Sequence, residues 1–190
     1  MNALTNAEVG NYLNSHFVAS YQKVGTFRIV NGQKQGGNVA SYFCTPSGQV
    51  LHVVTGPVKA EVLLREARWV VETWKLAELE KKTSVAGLKK VFGKAHTERL
   101  ELEYGYRLPP KTSAQQAQGF PQLMNMNMQQ FQLANMTMRQ LPVTSPQGRV
   151  HLLLAQTPLP PIDKIYRTVF ENFLGERVST SPVEGTERSR

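Results

Sequence analysis

The sequence predicts an α/β fold, and three stretches predict it. Residues 35–56, QGGNVASYFCTPSGQVLHVVTG, set two apolar runs of strand length on either side of a turn. Residues 58–82, VKAEVLLREARWVVETWKLAELEKK, and the shorter TNAEVGNYLNSHFV at 5–18 repeat apolar side chains at helical spacing. A hairpin flanked by amphipathic helices buries its sheet by packing helices against it.

Taken in order, Thr5 with Glu8 three residues on has capping-box spacing, and Val9, Leu13 and Phe17 follow on one face of a short helix. ASYQKVGTFRIV at 19–30 alternates and is rich in β-branched and aromatic residues, which predicts a strand; NGQKQGG at 31–37 reads as a flexible connection. VASYFC is nearly continuous in apolar character, as in a strand buried on both faces. In TPSG, Pro46 presets φ and Gly48 supplies a positive φ, so residues 50–55 return antiparallel. Gly56 and Pro57 suit a helix start, and the long helix puts Leu63, Ala67, Val70 and Trp74, with Ala60, Leu64 and Val71, toward the sheet.

Residues 84–107 hold a second helical pattern through Leu88, Val91 and Phe92, while the alternation of Leu100, Leu102 and Tyr104 predicts a strand at its end. From 109 to 148 the composition turns to Gln, Asn, Pro and Met, too poor in branched apolar side chains to offset the entropy of ordering, and this segment reads as a disordered, low-complexity insertion. RVHLLLAQ at 149–156 has strand character, TPLPP breaks it, and 162–178 carries Ile165, Val169, Phe170 and Phe173 on one helical face. The organisation expected is a domain at 1–83, an extension at 84–108, the disordered segment at 109–148, a strand and helix at 149–178 docking on the domain, and a flexible tail at 179–190.

The single cysteine, Cys44, excludes an internal disulfide and a zinc site made of several thiolates. Net charge is +8, divided as +2, +3 and +3 over residues 1–58, 59–107 and 108–190. A diffuse excess with acids interleaved fits a solvated surface better than a phosphate track, so nucleic acid is not the expected partner. No run reaches the roughly 18 apolar residues of a membrane helix, and the first residues lack the pattern of a secretory signal. As written the chain reads as cytoplasmic, and as periplasmic or secreted if a signal lies upstream of Met1.

Helix, strand, loop, strand, TPSG turn, strand and long helix is the element order of the second half of a thioredoxin fold. YLNSHFV before a strand, and SYFCTPSGQVLHVVTG before a helix, resemble bacterial thioredoxin-like proteins, whose first helix ends in L-N-x-x-F-V and whose late hairpin carries F-x-x-P-x-G. The resemblance covers residues 5 to about 80 and implies a three-layer thioredoxin-like fold. In that family a C-x-x-C opens the first helix, whose N-terminus lowers the pKa of the leading cysteine. That position would fall just upstream of Met1, and the family's cis-proline position corresponds to Val39, preceded by Asn38. Both catalytic devices, and a central strand, are missing from the match. The fold expected is therefore incomplete, as in a piece of a longer protein, or permuted, with 149–156 filling the vacant strand position.

Other chemistry has a plainer reading in each case. Cys44 could pair with one of His16, His52, His96 or His151 as a nucleophile, but a lone cysteine in an apolar strand is ordinarily a small core residue. Met124, Met126, Met128, Met136 and Met138 could hold Cu(I), though low-complexity sequence explains them as well. Trp69 is the tryptophan expected to be partly exposed and Trp74 the core one; a single exposed aromatic is no stacking platform. GQKQGGN lacks the Lys-Ser/Thr of a phosphate loop. The expectation is a non-redox, thioredoxin-like interaction module with no catalytic, metal or cofactor residues and a protein partner. The alternative is a thiol–disulfide oxidoreductase whose C-x-x-C lies outside this chain.

Overall fold

The computed structural model describes residues 3–24, 28–30, 33–35, 38–108, 143 and 145–179. They form a mixed α/β fold: helices with two small antiparallel sheets of two strands each. No described helix is long and apolar enough to cross a membrane.

A single 3₁₀ turn, Ala3–Thr5, leads into α1, Ala7–His16. The cap is Asn6 rather than Thr5: its side-chain oxygen accepts the N–H groups of Glu8 and Val9 at 3.0 and 3.2 Å. Of the strand expected at 19–30, the described residues show β1, Arg28–Val30, while residues 17–24 are irregular. β1 pairs with β2, Gln33–Gln35, inside the stretch expected to be a flexible connection. Val30 opposite Gln33 leaves two residues between the strands, and Asn31-Gly32 is the dipeptide that favours such a hairpin.

β3, Ala40–Cys44, and β4, Val50–Thr55, form the second hairpin. Gly48 takes φ 77° and donates to the Thr45 carbonyl at 2.9 Å, as the turn chemistry requires. Pairing runs Phe43 with His52 but Cys44 with Val50, so Leu51 is an extra residue in β4, a β-bulge. Helices cover both faces. Phe43, Leu51 and Val54 pack with Val9 of α1, with Leu63, Ala67 and Val70 of α2 (Ala60–Leu79), and with Leu88 and Phe92 of α3 (Val85–Tyr104). Val50 and Val53 pack with Val150, Leu153 and Leu154 of α4 (Pro146–Gln156), with Ile165 of α5 (Ile162–Thr168), and with Val169 and Phe173 of the π-helical turn that continues it.

Two expected strands are helices. Residues 100–104 complete α3, whose Ser84 accepts from Gly87 N–H and whose end is closed by Gly105 at φ 64°. The alternation there was misleading because Leu102 is exposed while Leu100 continues the inward stripe through Leu88, Phe92 and His96. Residues 149–156 lie in α4, which Ser145 caps and Pro146 opens. Its run VHLLLA is buried on every side, so it shows no helical period; leucine rather than β-branched residues dominates it. A helix cannot fill a strand position, which removes the permutation. α4 also begins within the segment expected to be disordered, whose residues 109–142 and 144 lie outside the described residues, as do the five methionines considered for copper and the tail beyond 179.

Candidate functional site

The β3–β4 hairpin supplies the first histidine of the site. His52 lies directly opposite Phe43 in the regular part of the ladder and so points to the face occupied by α2 and α3, with Val54; the bulge next to it adds Leu51 to that face. There it meets His96 of α3 and His151 of α4, three rings that are 0%, 1% and 0% exposed. Ring centroids stand 5.5 Å apart for His52 and His96, 5.2 Å for His52 and His151, and 5.0 Å for His96 and His151. Trp69 of α2 lies edge-on to His52 and His96, each at 5.0 Å. Trp69 is partly exposed, as expected, while packing on the core; Trp74, expected in the core, is likewise half-buried against it and gives its indole N–H to Glu78.

Glu66 lies beside this group on the inward face of α2 and is 2% exposed. Its carboxylate accepts from His52 Nε2 at 3.1 Å, from Arg99 through both terminal nitrogens at 2.5 and 3.0 Å, and from Arg65 at 2.9 and 3.1 Å. Arg99 also donates to Glu103 at 2.7 Å and lies over the Trp69 ring, 4.9 Å from its centroid. Burial alone would raise the Glu66 pKa, but the hydrogen bonds from His52 and Arg99 outweigh it and hold the carboxyl well below its usual range.

Burial drives all three imidazoles toward neutrality. It outweighs the Glu66 carboxylate at His52; at His96, with His52 nearby, the pKa is pushed down to about 3; at His151 burial acts together with His96. Neutral rings fix the tautomers. His96 Nε2 is 2.9 Å from the Leu51 carbonyl oxygen, which can only accept, so Nε2 holds the proton and Nδ1 is bare. His151 Nδ1, 2.9 Å from that bare nitrogen, must then be the donor, which leaves His151 Nε2 bare. His52 Nε2 donates to Glu66, which leaves its Nδ1 bare. Among the described residues, His52 Nδ1 and His151 Nε2 are buried without a hydrogen-bond partner.

Cys44 is elsewhere. It packs on the opposite face of the hairpin, near Tyr42 and Leu174, where burial pushes its thiol up to about 11. Val39 and Asn38, at the position matching the family's proline, lead into β3; Asn38 N–H donates to Glu176 at 2.7 Å.

Sequence reading considered the histidines only as partners for Cys44 and missed the group they form with Glu66 and Arg99. A signal was available: His52 and His151 each interrupt an apolar run, His96 sits on the stripe of Leu88, Phe92 and Leu100, and Glu66 interrupts that of Leu63, Ala67 and Val70. No family model matches the chain, and no curated protein or solved structure matches it either.

Proposed function

We propose that the chain is a non-redox, thioredoxin-like interaction module that acts through its surface on a protein partner. The reading rests on Cys44. It is the one thiol in the sequence, half-buried in a strand, and burial disfavours its thiolate. Exchange in the thioredoxin manner needs an attacking thiolate and a second thiol to release the mixed disulfide. The histidine, glutamate and arginine groups are sealed in the core, out of reach of a substrate. At the surface, the irregular segment after α1 presents Val18 and Tyr21, both wholly exposed, and these are the side chains proposed for contact.

The test assays the purified chain for reduction of an insulin disulfide and, separately, for partner binding before and after Val18→Asp and Tyr21→Asp. Absent turnover, with binding weakened by the surface variants at unchanged melting temperature, supports the module. Turnover that disappears in Cys44→Ser overturns it in favour of an oxidoreductase.

A further inference from the structure

We propose that His52, His96 and His151 form a buried binding site for one divalent transition-metal ion, with zinc the best fit. This goes beyond the role of the surface and does not depend on it. One ring nitrogen from each histidine lies within 4.8 Å of one from each of the others, and the closest pair, the Nδ1 atoms of His96 and His151, is 2.9 Å apart. Zinc bound to imidazole at 2.0–2.1 Å in a tetrahedron sets its nitrogens about 3.3 Å apart. The ion would open the closest pair slightly and draw the third ring in.

Two further observations point the same way. His52 Nδ1 is bare, buried and unpartnered among the described residues, a costly arrangement in a core that a bound ion would relieve. The far side of two rings is also held as metal-bound histidines are held: Glu66 takes the Nε2–H of His52 and the Leu51 carbonyl takes the Nε2–H of His96, so the Nδ1 atom of each ring is left to bind.

The donor set selects the ion. Three imidazoles without an oxygen ligand suit zinc, cobalt, nickel or copper and do not suit calcium or magnesium. Binding requires one proton shift: the Nδ1 proton that His151 gives to His96 moves to His151 Nε2, which frees both Nδ1 lone pairs without releasing a proton and leaves the new Nε2–H without an acceptor among the described residues, a cost the three metal bonds must exceed. The Glu66 carboxylate, one hydrogen bond from His52, is already offset by Arg99 and Arg65, so the three imidazole lone pairs rather than a free carboxylate hold the ion. Three protein ligands leave the fourth position to a water. With the rings sealed from solvent the ion's role is structural, tying β4, α3 and α4 together across positions 52, 96 and 151. The competing occupant is a single water that gives its two hydrogens to the bare nitrogens.

The experiment strips the full chain with a chelator, then titrates it with zinc chloride and, separately, with cobalt chloride. Expected are one equivalent bound, a raised melting temperature, and the intense visible absorption of tetrahedral cobalt. His96→Gln and His151→Gln should each weaken binding by at least about 100-fold, while His16→Gln, at an exposed position on α1, should leave it intact. No thermal shift and no cobalt band with either metal would overturn the proposal in favour of the water, and so would stoichiometric binding that survives both core variants. Should those variants fail to fold, X-ray absorption of the cobalt-loaded wild-type chain decides: three imidazole scatterers support the site, and one or none rejects it.

Discussion

Arg99 grips the Glu66 carboxylate with two N–H groups, one to each oxygen, while the same carboxylate holds the Nε2–H of His52. Two elements, α2 and α3, are thereby joined through a buried ion pair that also orients a histidine of β4. Removing either partner breaks the two-pronged contact and leaves the other charge only part-paired, Arg99 with Glu103 and Glu66 with Arg65 and His52, at a cost that approaches the roughly 3–5 kcal/mol of a stranded buried charge. Glu66→Ala should therefore lower the urea midpoint sharply, and Arg99→Met should do so as well. The double variant Glu66→Leu/Arg99→Met should recover part of the loss, because no unpaired charge remains; a double variant as unstable as the sum of the singles would show that the two residues act independently.

Gly148 predicts a steric limit. A Cβ there would collide with Val143 Cγ1 and stand 2.9 Å from Tyr104 Cδ1, so alanine requires the Val143 and Tyr104 side chains to shift. Although alanine is the better helix former, Gly148→Ala should destabilise by roughly 1–3 kcal/mol. An unchanged or raised melting temperature would show that the contact opens freely.

These residues mark where sequence reading succeeded and where it could not. The β3–β4 hairpin and α2 were legible because TPSG has one turn solution and the long helix repeats its apolar stripe over 20 residues. α4 was not, since burial on all sides erases the period that separates a helix from a strand. The bulge at Leu51 left no mark either, because β4 is apolar at Leu51, Val53 and Val54 on both faces. The bulge decides that Val50 turns away toward α4 and α5 while Leu51 stays on the side of His52; the histidine group itself depends on the tertiary meeting of β4, α3 and α4, which composition does not encode. Glu66 and His96 interrupt apolar stripes, but that pattern alone does not say which other side chains meet them.

Cys44 gives a prediction in pH. Burial raises its thiol from 9.0 to about 11, so the folded chain keeps its proton where an unfolded chain would lose it. This stabilising contribution is fully present below pH 9 and is lost as pH rises through about 11, the unfolded state then binding fewer protons than the folded one. Iodoacetamide at pH 8 should modify native Cys44 slowly and the urea-unfolded chain quickly, with the native rate climbing toward pH 11. Equal native and unfolded rates at pH 8 would place the thiol in a more open environment than this one.

Gln147 yields the most local test. Its side-chain amide lies along the free edge of β4, donating from Nε2 to the Val53 carbonyl at 2.8 Å and accepting the Thr55 N–H at 3.0 Å and the Thr55 hydroxyl at 3.1 Å. One side chain thus satisfies the backbone groups that another strand would otherwise pair, and it anchors the first turn of α4 to the hairpin. Gln147→Ala leaves a donor and an acceptor unpaired in a half-buried place and should cost about 1–3 kcal/mol. Gln147→Glu separates the two halves of the contact: a carboxylate still accepts from Thr55 but faces the Val53 carbonyl without a proton to give. Hydrogen exchange at the Thr55 amide should accelerate strongly in Gln147→Ala and much less in Gln147→Glu, although both lose stability. If the Thr55 amide stays equally protected in both variants, its protection comes from burial under α4 rather than from this hydrogen bond.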